Sequence, residues 1–300
     1  MKKKFIISVD VEGIPLRDSG MDYSSIINGV PLLLDLFSEF NVCSTFFVTS
    51  DAAENTAHVL REVIKREHEI GCHAYGSQGY ADLKGATDTI NEHFKVSPIG
   101  FRAHRHKING KTLMWLSTLG YKYDSSIVSS SQLFNKHYYP KAPKTPYRPS
   151  LNNICEEGYC SLIEIPISAL PIIRLPIGLG YIKLFGLNLY KLFLSRLNQE
   201  IVTMYLHPYD LFPLSGDVDA PLNFMLAQKR RTKGFEVLQG LLEHLEEKFS
   251  PAYIRAQEIL NYDELVSRGE LNRPSPPCNG GVLTLNDWPF IKIWGDLCIF

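Results

Sequence analysis

Short apolar runs alternate along the chain with longer segments whose apolar residues recur at helical spacing. The run KFIISVDV, starting at Lys4, is rich in apolar and β-branched residues and predicts a buried strand. Residues 26–41 carry apolar positions three and four apart, which predicts an amphipathic helix with Asn41 as its stop. The alternation continues to about residue 260 and is typical of a parallel sheet covered by helices.

Further strands are predicted from the runs STFFVTS, EIGCHAY, PIGFRAH, KYDSSI, SLIEIPIS, IVTMYLHPYDL and the start of PAYIRAQEIL. About seven βα units predict a distorted or incomplete (β/α) barrel, with an open doubly wound sheet as the alternative. Residues 1–266 are predicted to form this barrel, with a loop insertion around 131–160 that is rich in Pro, Tyr and Asn. Residues 267–300 contain Pro and Gly clusters and are predicted to be an appendage or a partly disordered tail.

The composition is that of an ordinary soluble protein, with 45% hydrophobic and 21% charged residues. The net charge of -1 gives no electrostatic reason to expect a nucleic acid partner. The first apolar run ends before Asp10 and is shorter than a secretory signal requires, so we expect a cytoplasmic location. No stretch reaches the roughly 18 apolar residues of a membrane span. The apolar stretch 170–197 is expected to form a core helix with its preceding loop, although peripheral contact with a membrane is an alternative.

Ionisable residues stand at the ends of five predicted strands. They are Asp10 and Glu12, His73, Arg102 and His104, Asp124, and His207. The carboxyl ends of parallel barrel strands meet at one face, where the catalytic groups of such barrels lie. Asp10 and Glu12 are two residues apart, so their side chains point to the same side of an extended strand. The sequence therefore predicts a polar site at this face.

The motifs around these residues resemble, in order, those of the polysaccharide deacetylase (NodB-homology) family. They are SVDVEG, EIGCHAYGS, GFRAH, YKYDSSI and YLHPYD, and the resemblance covers about residues 5–265. Each motif is weak alone, whereas five in the family's order are specific. The segment that runs from GLGYIKLF to YLHPYDL also resembles the subgroup associated with bacterial exopolysaccharide assembly. The resemblance implies a distorted (β/α) barrel that hydrolyses an amide.

The resemblance also implies a role for each residue. Asp10 would be the general base, Arg102 would hold its carboxylate, and His207 would be the general acid. Glu12 and His73 would be ligands of a divalent metal, most simply zinc, which would polarise the acyl carbonyl.

The second motif departs from the family pattern because Ser77 occupies the position of a second histidine. Serine is a poor zinc ligand, and two protein ligands fall short of the usual three. Three alternatives remain open: water fills the gap, another histidine (His104 or His106) replaces the missing ligand, or the enzyme works without metal. His104 stands where the family usually has proline.

The predicted function is removal of an acetyl or formyl group from an N-acylated sugar, a precursor of a surface polysaccharide. Asp124, Ser125 and Tyr75 are candidate substrate-binding residues. One alternative is a metal-independent C–N hydrolase of the same fold that acts on a small or cyclic amide. Another is a non-catalytic sugar-binding protein, although binding alone would not need an acid and a base.

Overall fold

The computed structural model describes residues 2–17, 20–76, 79–133, 135–212 and 234–261. The strands within these ranges are β1 Lys4–Val11, β2 Ile14–Pro15, β3 Met21–Asp22, β4 Ser44–Val48, β5 Glu69–Ala74, β6 Gly100–Ala103, β7 Tyr123–Asp124, β8 Ile163–Glu164, β9 Ile201–Leu206 and β10 Ala252–Tyr253. The helices are α1 Ser24–Glu39, α2 Ser50–Lys65, α3 Tyr80–Phe94, α4 Gly110–Thr118, α5 Leu179–Phe185, α6 Leu187–Leu194 and α7 Gly234–Phe249.

Seven parallel strands form one curled sheet in the order β9-β1-β4-β5-β6-β7-β8. The short strand β10 pairs with the first two residues of β1, also in parallel. The small hairpin of β2 and β3 is antiparallel and separate from this sheet. The prediction of a distorted or incomplete (β/α) barrel with about seven parallel strands is confirmed.

Strand β1 is central to the sheet and is buried from Phe5 to Val11. A strand covered on both faces reads as a continuous apolar run rather than an alternating one, which explains why KFIISVDV was recognisable from the sequence. Helix α7 buries one stripe, which consists of Leu238, Leu241, Leu242 and Leu245. This spacing follows the helical period, so α7 buries one face, and it packs against α5 and α6.

Two element boundaries differ from the sequence prediction for local reasons. The run TAHVLREVIKREH predicts a helix from Thr56, but α2 begins six residues earlier, at Ser50, because the Thr49 hydroxyl caps it by accepting the Ala52 amide at 3.4 Å. The run KYDSSI contributes only the two residues of β7. After β7 the chain leaves the sheet and forms the turns of the predicted insertion, where Tyr138 is buried.

Ser77 and the predicted appendage at 267–300 lie outside the described residues. The apolar stretch 170–197 forms the two short helices α5 and α6 and the turns before them. Among the described residues, the structure contains no helix with both the length and the apolar character that crossing a bilayer requires.

Candidate active site and metal centre

The carboxyl ends of four strands bring ionisable side chains into one cluster. Asp10 lies near the end of β1 and Glu12 directly after it, His73 and Arg102 lie on β5 and β6, His104 opens the turn after β6, and His207 follows β9. His73 and Arg102 are register partners on adjacent strands. Parallel pairing therefore places residues distant in the sequence at one edge of the sheet.

Arg102 and Asp10 form a fully buried ion pair. The Arg102 Nη1 donates to Asp10 Oδ1 at 2.7 Å and to the Ser8 hydroxyl at 2.8 Å. The other guanidinium nitrogens donate to the Ser125 carbonyl and hydroxyl, both at 2.8 Å. Burial alone would raise the pKa of Asp10, but the charge of Arg102, with those of nearby histidines, lowers it. Asp10 is therefore held ionised and oriented.

The ring of Phe47 supports this arginine, since the guanidinium carbon lies 4.3 Å from the ring centroid. The ring has room because residue 71 is glycine: a Cβ there would meet the Phe47 ring at 2.7 Å. Gly71 on β5 thus allows an aromatic ring inside the barrel, directly beneath the buried ion pair.

Glu12 is the carboxylate that contacts three histidines. Its Oε2 lies 2.8 Å from His104 Nδ1 and 3.7 Å from His73 Nε2, and its Oε1 lies 3.7 Å from His207 Nε2. Burial would raise the pKa of Glu12, but the adjacent imidazoles of His104 and His73, with that of His207, hold it well below its ordinary value. The Tyr209 hydroxyl also donates to Glu12 Oε1 at 3.2 Å.

Glu12, His73 and His104 fit a divalent metal. Each offers a ligand atom, and these atoms lie within 4.8 Å of one another. His73 Nδ1 lies 2.9 Å from the Arg102 carbonyl oxygen, which leaves Nε2 available for a metal. A second hydrogen bond of this kind is usual for metal-binding histidines because it fixes the ring and its tautomer. One carboxylate and two imidazoles also form a three-ligand set of the type found in catalytic zinc sites.

His207 is held by the residues that follow it. Asp210 Oδ2 accepts the His207 backbone amide at 2.9 Å and lies 3.2 Å from its Nδ1. The Tyr209 ring stacks on the imidazole, with ring centroids 4.4 Å apart and planes 12° apart. Burial would lower the pKa of His207, but the Asp210 carboxylate, with Glu12 and Asp10, raises it. Its Nε2 lies 4.0 Å from Asp10 Oδ2.

Two family models match consecutive parts of the chain. The polysaccharide deacetylase model matches residues 18–123, and a domain of unknown function (DUF3473) matches residues 125–256. Residues 18–123, about a third of the chain, thus match a polysaccharide deacetylase domain. The protein is a deacetylase-type amide hydrolase, as predicted. The first match contains His73, Arg102 and His104, whereas Asp10 and Glu12 precede it and His207 lies in the second match.

Solved structures share the fold of this deacetylase domain. A protein from Mycobacterium smegmatis described as a polysaccharide deacetylase is 18% identical, with a TM-score of 0.61 over 91% of this chain and 95% of its own. One from Pseudomonas aeruginosa PAO1 with the same description is 13% identical, with a TM-score of 0.56 over 90% and 92%. An allantoinase is 13% identical, with a TM-score of 0.54 over 90% and 92%. No curated protein matches the sequence.

The candidate substrate-binding residues fall in different environments. Tyr75 is 51% exposed, and its ring centroid lies 4.5 Å from that of His104, at the mouth of the cluster. Asp124 and Ser125 are instead buried. Ser125 accepts from Arg102, and Asp124 accepts from the Ser126 hydroxyl at 2.6 Å. Asp124 and Ser125 therefore support the strand ends through buried hydrogen bonds. The carboxylate that contacts His207 is that of Asp210.

Sequence reasoning missed several residues that hold the site together. Asp210 stands three residues after His207, the spacing at which a side chain can bond back to a capped turn, and this signal was available. Ser8 stands two residues before Asp10 and shares its strand face, which was also readable. The position of Tyr209 against both Glu12 and His207 depends on the fold of the turn 208–210, which the sequence does not show.

Proposed function

We propose that the protein removes the acyl group from an N-acylated carbohydrate, with an acetylated or formylated precursor of a surface polysaccharide as substrate and the cytoplasm as its location. The observation that carries this proposal is the meeting of Asp10, Arg102 and His207 beside the Glu12, His73 and His104 set. Asp10 lies 2.7 Å from the guanidinium and 4.0 Å from the imidazole, so a base and an acid face the same small volume.

The distances support a metal site that differs from the family pattern. Of the alternatives left by Ser77, they favour replacement of the missing ligand by His104, whose Nδ1 lies 2.8 Å from Glu12. His106 is buried one turn further on, with its ring against Tyr138 and Tyr205. We therefore assign Glu12, His73 and His104 as the ligands of a divalent ion, with zinc the simplest candidate for two imidazoles and a carboxylate.

The chain's own groups divide the proton transfers. A divalent ion at this site would act as a Lewis acid on the acyl carbonyl. Asp10, ionised through Arg102, accepts the proton of the attacking water. His207, whose Nδ1 faces Asp210, presents Nε2 to the departing nitrogen and donates a proton to it. A general acid or base contributes about 10²- to 10⁴-fold to the rate of such a reaction.

The decisive experiment measures release of acetate or formate from N-acylated sugars, together with elemental analysis of the purified protein. We expect bound zinc or a similar ion, activity that a chelator abolishes, and recovery when metal is returned. Asp10→Asn should lower turnover by about 10³-fold while metal content stays unchanged. His104→Ala should lower metal content, and His93→Ala, at a half-buried position near the end of α3, is the matched control.

The same measurements separate the alternatives. Activity on small or cyclic amides that is the same with and without chelator would support the metal-independent hydrolase. Sugar binding without hydrolysis of any amide would support the non-catalytic protein. Retention of metal by His104→Ala would remove that residue from the ligand set.

A further inference from the structure

The charges of this protein are strongly segregated along the chain. Residues 93–199 contain fourteen Lys or Arg and four Asp or Glu, whereas the whole chain has 31 and 32. Two of those four acids, Asp124 and Glu164, are buried. The other two, Glu156 and Glu157, lie in one turn of the insertion. The near-neutral total therefore conceals a region with a large excess of positive charge.

Four of these fourteen cations lie on segments that follow the carboxyl ends of β6, β7 and β8, the strand ends at which the candidate active site lies. We call residues 105–107, 131–137 and 171–174 the rim, of which all but residue 134 are described. Arg105 follows the candidate ligand His104, and Arg105, Lys107 and Lys136 are all exposed. The rim contains no Asp or Glu.

Hydrogen bonds join the three rim segments. The Tyr139 hydroxyl, just beyond the second segment, donates to the Ile108 carbonyl at 3.1 Å, just beyond the first. The Ser130 hydroxyl donates to the Arg174 carbonyl, and the Arg174 guanidinium donates to the Pro140 carbonyl. Burial, and then the charges of Lys136, Lys107 and Arg105, lower the pKa of His137, which is consistent with these cations lying close together.

The rim also exposes two large aliphatic side chains on adjoining segments. Leu133 is 80% exposed and Ile172 is 60% exposed. Ile172 has a φ of 67°, in the left-handed region where a β-branched residue is an outlier. Backbone strain of this kind persists where the surrounding structure imposes it, and it clusters at functional sites. At Ile172 the strained backbone carries a mostly exposed side chain, so packing of that side chain does little to offset the strain.

We propose that the rim docks on a lipid surface that carries anionic head groups. Exposed cations beside exposed aliphatic side chains match such a surface, because the cations attract the head groups while the aliphatic groups enter the interface. A soluble anionic saccharide would account for the cations and not for Leu133 or Ile172. Only residues 171–174 of the apolar stretch 170–197 belong to the rim. The helices α5 and α6 of that stretch instead bury apolar side chains, namely Leu179, Ile182, Tyr190 and Leu194. The proposal does not depend on the reaction at the site.

The test is co-sedimentation of the full chain with phosphatidylcholine vesicles, with and without phosphatidylglycerol. We expect binding only to the vesicles that contain phosphatidylglycerol, weakened by salt. Lys107→Ser and Lys136→Ser should each lower the affinity about fivefold. Lys122→Ser is the matched control, because Lys122 is equally exposed but directly precedes β7 at the opposite end of the barrel.

Ile172→Asn tests the apolar part without threatening the fold. Asn adopts the left-handed region more readily than Ile, so this variant should melt at the same or a higher temperature while binding vesicles more weakly. Met114→Gln, at a 48% exposed position on α4, should leave vesicle binding unchanged. The proposal is overturned if the wild-type chain ignores anionic vesicles, or if the rim variants bind them as tightly as the two controls. Unaltered binding by Ile172→Asn alone would reject the apolar contribution.

Discussion

Buried histidine and carboxylate groups lie at both ends of β5, but their pKa values are shifted toward the neutral forms at one end and toward the ionised forms at the other. At its amino end, His68 and Glu69 are buried. Burial lowers the pKa of His68 to about 4 and raises the pKa of Glu69, so both neutral forms are favoured. At its carboxyl end, His73 is also buried, yet the neighbouring carboxylates of Glu12 and Asp10 outweigh burial and raise its pKa.

The difference lies in what each end offers the buried groups. Glu69 accepts hydrogen bonds from the hydroxyls of Thr45 and Tyr123, both at 2.7 Å, and from the Gln257 amide at 3.1 Å. Those donors carry no charge. The carboxyl end instead surrounds its carboxylates with a guanidinium and three imidazoles. An opposite charge nearby keeps a buried group ionised, whereas neutral hydrogen-bond donors do not fully offset the tendency of burial to favour its neutral form.

The largest effect should follow from breaking the buried ion pair. Arg102→Met would leave Asp10 as an uncompensated charge in the interior, and we expect a loss of about 3–5 kcal/mol in the free energy of unfolding. Urea unfolding at neutral pH measures it. Adding Asp10→Asn to this variant should recover part of the loss, because the unpaired charge disappears.

Arg66 provides the matched control for that experiment. Its Nη1 lies 2.7 Å from Asp35, the same distance as in the buried pair, but both side chains are substantially exposed. Arg66→Met should therefore cost less than about 1 kcal/mol. Equal losses of unfolding free energy in the two variants would mean that burial does not make the Arg102–Asp10 pair more important for stability than an exposed pair. The role given to burial at the carboxyl end of β5 would then be wrong.

The next effect concerns pH and the amino end. His68 lies between the rings of Phe37 and Phe46, and its Nδ1 accepts the Ser44 amide at 3.2 Å. Its pKa is about 4 in the folded protein and about 6.5 when unfolded. Between these values the unfolded chain binds more protons, so stability is full above pH 6.5 and falls as the pH drops toward 4.

Urea unfolding across this pH range isolates the contribution when wild type and His68→Gln are compared. Glutamine can accept the same amide but does not titrate, so its stability should decline less steeply toward acid. His58→Gln, at an exposed position on α2, should keep the wild-type slope. A slope in His68→Gln as steep as that of wild type would assign the acid loss to other groups.

Much of the fold was predictable because periodicity reports burial directly. The run KFIISVDV is apolar over most of its length and the run GFEVLQGLLEHLEEKF keeps the helical period over 16 residues, so β1 and α7 were predicted with their observed limits. Short elements such as β7 were not, because two residues carry no period. There the ladder to β6 and β8 decides the conformation, and that pairing is a long-range property.

The candidate site was partly predictable for a similar reason. The positions of four residues at predicted strand ends were enough to place them at one edge of the sheet, because parallel strands share their direction. These residues are Asp10, His73, Arg102 and His207. The place of His104 could not be chosen from the sequence. It depends on the turn after β6, where Arg105 and His106 adopt left-handed φ values of 54° and 60° while His104 lies beside Glu12.

The smallest expected effect makes the comparison sharpest. Glu69→Gln should change the free energy of unfolding by less than about 1 kcal/mol at neutral pH, because burial disfavours the charged carboxylate and glutamine has nearly the same shape without the charge. A raised pKa means that wild type loses stability as the pH rises above the ordinary value near 4.5, so the variant should gain relative to wild type over that rise. Urea unfolding on both sides of that pH measures the relative gain. A loss of about 3 kcal/mol or more at neutral pH would show that the pocket requires an ionised carboxylate, and the amino end of β5 would then resemble its carboxyl end.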